Sequence, residues 1–288
     1  MYSDLIQLLQ CVRTEKFEIA VSRIIEYVDQ AQDFNALLTE IGIIPESLPY
    51  DSSEEKLFAK ASDAVLARAF REIGLKATVL TARGNAADVF AESPIYGYTL
   101  VADAKAFRLS RTAKNQKDFK VAALSNWRED SEYAVLCAPY FQYPTKASQI
   151  YEQAIQHNVC LFSWEYLQFL IDNGIQESMT LSLEFLWNYS STYSANIRYE
   201  DRQKCFFSSF DAKLVSTIGK SNVEFRDSLK RNVDKIRLRG TEEKEYLLNE
   251  KKIIEAYSRE QAILELIGMK KINEKIRQID HYIGGLQI

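Results

Sequence analysis

The sequence predicts an α/β fold: a mixed central sheet flanked by helices, with helical extensions at the N- and C-terminal ends. Three observations carry this. Apolar residues recur at helical spacing over residues 1–50 and again over about 54–73. Two short runs, YAVLCA and VCLFSW, are continuously apolar, as interior strands covered on both faces are. Ahead of them, two further apolar runs flank Ser93–Gly97 (SPIYG), whose Pro94 and Gly97 suit a hairpin connection. Helix, antiparallel strands, then helix and strand in alternation describe a sandwich around a mixed sheet.

From the N-terminal end, Leu5, Leu8, Leu9 and Val12, then Ile19, Val21, Ile24, Ile25 and Val28, form helical stripes that stop around Pro45. Ser52 and Glu55 stand at capping-box spacing before a helix over about 54–73, which Gly74 closes. Strands are expected near Thr78–Leu80, Val89–Ala91, Tyr98–Phe107, Tyr133–Ala138 and Val159–Phe162, with helices over Lys117–Trp127 and Ala147–His157. Beyond Trp187 the chain turns polar, and from about Ser221 it is charged and helical without a sustained heptad. The expected division is a helical segment (1–50), a core (51–187) and a helical C-terminal region (188–288).

With 47% hydrophobic residues among 288, the chain can bury a substantial core, and its ten glycines and five prolines favour regular structure. No stretch is long and apolar enough to span a bilayer, and the start lacks the pattern of an export signal. Four cysteines are scattered without CxxC spacing, so a reducing, cytoplasmic setting is expected. His157 and His281 lack a partnering Cys or carboxylate pattern, which argues against zinc and against a histidine triad. The glycines form no phosphate-cradling loop. A net charge of −4 counts mildly against a polyanion as partner. Binding, however, responds to local potential within about 8–10 Å.

The most informative segment runs from Gly84 to Lys120. Asp88 opens one apolar run; the next carries Asp103-Ala104-Lys105. Side chains alternate along a strand, so Asp103 and Lys105 share a face opposite Ala104. A hairpin at SPIYG brings Asp88 beside them, and two acids with one lysine suit a divalent metal, an attacking water and a phosphate. An isolated Asp-x-Lys is more often a surface ion pair; the upstream acid at strand–turn–strand spacing shifts that balance. Lys105, Arg108, Arg111, Lys114, Lys117 and Lys120 then recur every third residue, with Asp118 as the one acid among them. A solvated helix face is the ordinary explanation of a charge run, but period three drifts around a helix, and Asn115, Gln116 and Asp118 are interleaved. Such a segment suits nucleic acid lying along it.

The order Asp88, then Asp103-x-Lys105, resembles the PD-(D/E)xK nuclease superfamily. More narrowly, GNAADV, LVADAKAFRLSRTAKNQKDFKV, ALSNWRED, YAVLCAPYFQYPT and LFSWEYL resemble the HindIII-like family of type II restriction endonucleases. The resemblance is densest over Asp103–Val121, extends from about Ser53 to Trp187, is loose in the N-terminal helices, and by inspection is nearly absent from the last third. Ala87 stands where the superfamily pattern has proline, a departure that removes no ligand. The resemblance implies a restriction-endonuclease-like core and Mg²⁺ held by Asp88, Asp103 and the Ala104 backbone carbonyl. Lys105 would orient or deprotonate the attacking water. Glu55 is either a helix cap or an additional acid facing the metal, as superfamily members often carry. Arg83 is a candidate for a phosphate contact, and Asn85 for a site role or for left-handed turn geometry. Arg108 and Arg111 are candidates for phosphate clamping. Asn115 and Asp118 are candidates for reading adenine and cytosine, while Lys114, Lys117 and Lys120 divide between guanine and phosphate.

The expected function is Mg²⁺-dependent hydrolysis of double-stranded DNA at a short palindrome, AAGCTT by resemblance, by a homodimer matched to that palindrome. A cognate DNA methyltransferase would share the cell without contacting it, and no membrane is involved. A structure-selective repair or recombination nuclease, and a non-catalytic DNA-binding protein, remain the alternatives.

Overall fold

The computed structural model describes residues 2–80, 86–111, 116–145, 148–193, 198 and 201–284. It divides into two compact units, 1–237 and 238–288. The first opens with three helices, α1 (Tyr2–Val12), α2 (Phe17–Gln30) and α3 (Phe34–Glu40), followed by the long α4 (Ser53–Glu72). Among the described residues, five strands form one sheet in the order β1 (Lys76–Val79), β2 (Val89–Glu92), β3 (Thr99–Ala104), β4 (Tyr133–Ala138) and β5 (Val159–Ser163). The pairs β1–β2 and β2–β3 are antiparallel; β3–β4 and β4–β5 are parallel. The expected α/β class, with a mixed sheet flanked by helices, is therefore the observed one.

Short helices α5 (Gln116–Phe119) and α6 (Val121–Trp127) connect β3 to β4, and α7 (Gln149–His157) connects β4 to β5. The sequence suggests a single helix over Lys117–Trp127. The chain instead breaks at Lys120, whose backbone is left-handed (φ 50°, ψ 34°). After β5 come α8 (Trp164–Asp172), α9 (Glu184–Trp187), α10 (Tyr189–Tyr193) and α11 (Arg202–Thr217). Every residue of β4 and β5 is buried. β5 is nevertheless the last strand of the sheet, not an interior one; α7, α8, α9 and α10 pack on it and shield it. Cys137 and Cys160 lie buried on these strands, and all four cysteines are free.

Local chemistry fixes the hairpin that matters for the site. In the turn between β2 and β3, Ser93 Oγ accepts from the amides of Ile95 (3.3 Å) and Tyr96 (2.8 Å), and Gly97 adopts φ 79°. The Ser93 and Tyr98 hydroxyls both donate to the buried Glu177, whose carboxylate also accepts from the Leu183 amide. Gly74, at φ 96°, ends the turn after α4; a Cβ there would lie 3.1 Å from the Glu177 amide nitrogen. At the other end of α4, Ser52 Oγ accepts from the Glu55 amide at 3.0 Å.

In the second unit the end of α12 (Asn222–Glu255), which begins in the first, is followed by α13 (Arg259–Met269) and α14 (Ile272–Gly284). No helix among the described residues is long and apolar enough to cross a membrane.

Candidate active site

The paired register of β2 and β3 sets Val89 opposite Ala102, so Asp88, one residue earlier, comes opposite Asp103. The Asp88 backbone is held on both sides. Its amide donates to Ala102 O at 3.2 Å, and its carbonyl accepts from Leu80 at 2.8 Å. Asp103 is buried, 3% of its side chain exposed, and Lys105 Nζ lies 2.5 Å from its Oδ2. Alternation along β3 thus produces the Asp103–Lys105 pair that the sequence suggests. Ala104, the last residue of the strand, stands between them. Lys105 itself is pinned by its main chain: its amide donates to Cys137 O at 2.7 Å, and its carbonyl accepts from Trp164 Nε1 at 2.9 Å.

Two residues that sequence reading does not single out complete the cluster. Lys60 on α4 places its ammonium against Asp63 (3.0 Å) and against Asp88. Asp63 is buried. Burial pushes its carboxyl well above the usual range, and the nearby Asp88 charge adds to the rise; Lys60 opposes both. Burial likewise raises the Asp103 carboxyl, with Lys105 pulling it back and Asp88 pushing it further up. For Lys60, burial alone would lower the ammonium, yet Asp63 and Asp88 raise it. Three acids and two lysines therefore share one electrostatic pocket, a −1 balance counted from Asp63, Asp88, Asp103, Lys60 and Lys105. The sequence held one signal for this: Lys60 and Asp63 are charged residues set among the alanines and leucines of an otherwise core-facing helix.

Glu55 lies eight residues before Asp63 on α4, about 12 Å along the helix axis. One of its oxygens accepts from Arg108 (2.8 Å) and the other from the Asp51 amide (2.6 Å). Arg108 is drawn inward as well. It donates to the carbonyls of Pro45 (2.6 Å) and Leu48 (2.8 Å), tying the segment before α4 to the exit of β3. Arg108, the expected phosphate clamp, has these carbonyls and Glu55 as its partners in the structure. The Arg111 guanidinium pairs with the Asp118 carboxylate. Lys117 and Lys120 are exposed, and Lys120 Nζ lies 5.8 Å from the centre of the Trp127 ring. Its charge reaches the site, where it favours the ionised form of Asp103. Phe119, buried between Phe107 and Tyr143, anchors this segment. Arg83, Asn85, Lys114 and Asn115 fall outside the described residues.

A family model described as HindIII restriction endonuclease matches residues 14–282. The chain belongs to that family. It is 41% identical over 285 residues to the type II restriction enzyme HindIII of Haemophilus influenzae, covering 98% of this chain and 95% of the relative. Family likeness therefore reaches well past the Ser53–Trp187 span visible by inspection and includes the helical C-terminal third.

Members of such a family work with a divalent cation, and the residues present fit one. Asp103 Oδ2 is a buried acceptor with an ion-pair partner but no well-angled hydrogen bond. Among the described residues no three His, Cys, Asp or Glu side chains close around an ion. A hard cation of the Mg²⁺ type needs no such cage, because it keeps several waters and takes one or two carboxylates plus substrate phosphate.

Proposed function

We propose that the chain is a type II restriction endonuclease that hydrolyses phosphodiester bonds of double-stranded DNA at a short palindrome, AAGCTT by its likeness to HindIII, using Mg²⁺. One observation supports this above others: Asp88 and Asp103 meet across the β2–β3 pairing with Lys105 against Asp103. Asp88, Asp103 and the Ala104 carbonyl would hold the cation, which when bound polarises the scissile phosphate and acidifies water. Lys105 orients the attacking water and stabilises charge on the phosphoryl oxygens. The water oxygen bonds to phosphorus as the 3′-oxygen leaves with a proton, giving 5′-phosphate and 3′-hydroxyl ends. Lys60 keeps Asp63 and Asp88 neutralised until DNA and cation arrive.

Phosphate contacts fall to Arg111, Lys117 and Lys120, with Asp118 and Asn115 as base readers and Lys114, Arg83 and Asn85 beside them. Residues 51–187 carry the chemistry, 1–50 buttress it, and 188–288 serve assembly or flanking DNA. A palindrome is matched by a homodimer with one site per strand. Its cellular counterpart is a methyltransferase acting on the same sequence in the cytoplasm.

Incubation with Mg²⁺ and a long duplex tests the reading. Discrete fragments ending at one hexanucleotide are expected, and Asp103→Asn should lower the cleavage rate by at least about 10³-fold while DNA binding persists. Cutting that follows DNA branching instead of sequence would favour a repair nuclease. An Asp103→Asn variant that cuts at the parental rate would remove the catalytic assignment.

A further inference from the structure

We propose that Trp164 and Gly42 are positioning residues for Lys105: an indole seated in the space that a glycine leaves holds the lysine carbonyl, and so sets where its ammonium acts. This rests on the nuclease reading above and deepens it, because it concerns how the lysine of the site is held.

Lys105 is the first residue past β3, and the last paired positions of the β3–β4 ladder are Ala104 and Cys137. Its amide still reaches the ladder, donating to Cys137 O at 2.7 Å. In a parallel pair the next bond would run from the amide of residue 139 to the Lys105 carbonyl. Residue 139 is proline, which has no N–H to give. Trp164 Nε1, 2.9 Å from that carbonyl, supplies the missing donor. An indole carries one N–H and no acceptor, so this bond uses all of its hydrogen-bonding capacity. The side chain cannot easily move elsewhere, since Trp164 is only 3% exposed and opens α8 directly after β5.

Gly42 makes room for the ring. A Cβ at this position would lie 2.9 Å from Trp164 Cδ1, 3.3 Å from Trp164 Nε1 and 3.1 Å from Pro139 Cγ. Unlike Gly74 and Gly97, Gly42 has its backbone outside the left-handed region, so space and not dihedral freedom calls for glycine. The same residue also braces the chain just beyond the lysine. Its carbonyl accepts from the Phe107 amide at 3.1 Å, and the Ile44 amide donates to Phe107 O at 3.3 Å. Gly42 thus meets residues 105–107 twice, once through Phe107 and once through the indole. A methyl group there would push the ring away from the carbonyl it holds. Misplacing a reacting group by about 1 Å costs on the order of 100-fold in rate.

Single-turnover cleavage of a long duplex with Mg²⁺ tests this on the full chain. Trp164→Phe keeps an aromatic ring and removes the N–H. It should lower the cleavage rate about 10- to 100-fold and leave DNA affinity, measured without metal, within about twofold of the parent. Gly42→Ala should lower the rate to a similar extent. Because both act through one contact, the double variant should lose no more than about threefold beyond Trp164→Phe, whereas independent losses would multiply. Trp187→Phe is the control for burial. That indole is fully buried and donates to Tyr98 at 3.0 Å; its loss should lower the melting temperature and keep the rate within about twofold. If Trp164→Phe fails to fold, benzothienylalanine at position 164, which keeps both rings and lacks the N–H, is read in the same way. A position-164 variant that cuts at the parental rate, multiplying losses in the double variant, or an equal loss in Trp187→Phe would each overturn the proposal. A parent that cuts no duplex removes the nuclease reading itself; a cutting parent indifferent to the indole N–H removes the positioning role alone.

Discussion

The two units are built from helices of equal local quality, and they differ in what covers them. In the first, Trp187, Tyr166, Phe58, Phe70 and Phe162 are fully buried, and the Trp187 ring meets Phe70 and Phe162 edge-on. In the second, Ser258 and Gln261 close a full capping box on α13, and Arg239–Glu243 and Lys251–Glu255 pair along α12. Yet its apolar side chains face outward. Caps and ion pairs decide where a helix begins and ends. Burial decides whether it persists, because i,i+4 pairs contribute only a few tenths of a kcal/mol each.

A direct way to break this contrast is to truncate one large apolar residue in each unit. Trp187→Ala should destabilise the first unit by about 3–5 kcal/mol, because it empties a packed aromatic site and removes the donor to Tyr98. Leu264→Ala, at a position 68% exposed, should cost under about 0.5 kcal/mol. Urea unfolding of both variants decides. Comparable losses would mean that α13 is packed as tightly as the core.

A smaller effect concerns buried charge, which the second unit largely avoids. Glu165 is buried on α8, and burial pushes its carboxyl from 4.5 up to about 7, although the Tyr140 amide donates to it at 2.8 Å. A carboxyl whose folded value is raised contributes stability that is complete below its unfolded value and is lost as pH rises through the folded one. Stability should therefore fall by on the order of 3 kcal/mol between about pH 4.5 and 7 from this group alone. Glu165→Gln should flatten that slope, as urea midpoints at pH 5 and pH 8 would register. An unchanged slope would place the pH dependence elsewhere.

The smallest effect sharpens the comparison inside the site. Lys60→Met leaves Asp63 and Asp88 without their shared counter-ion. The variant should melt a few degrees lower than the parent without metal, and Mg²⁺ should raise its melting temperature by more than it raises the parent's. Equal metal-induced shifts would show that Lys60 does not stand in the cation's place.

Much of this architecture is legible in the residues. Continuous apolarity makes YAVLCA and VCLFSW readable as strands, and period-two alternation puts Asp103 and Lys105 on one face. What escapes is tertiary. That β5 is an edge strand depends on sheet order, which apolarity does not encode. The inward turn of Arg108 depends on the carbonyls of Pro45 and Leu48, some sixty residues away. The contribution of α4 to the site depends on where that helix crosses the sheet, so Lys60 and Asp63 read only as an odd polar pair in an apolar helix. Glu55 shows the converse: its place near the Ser52 cap is plain in the sequence, and its partner Arg108 is not.

The double tether on the Lys105 backbone has a consequence for how such enzymes diversify. With its amide fixed by Cys137 and its carbonyl by the Trp164 indole, the chain up to this residue is clamped into the sheet, whereas the polypeptide beyond Phe107 leaves it. On the proposed function, substitutions downstream would change which bases are met without shifting Asp103 and Lys105. New target sequences would then be reachable by rewriting one outgoing stretch while the clamped residues stay in place.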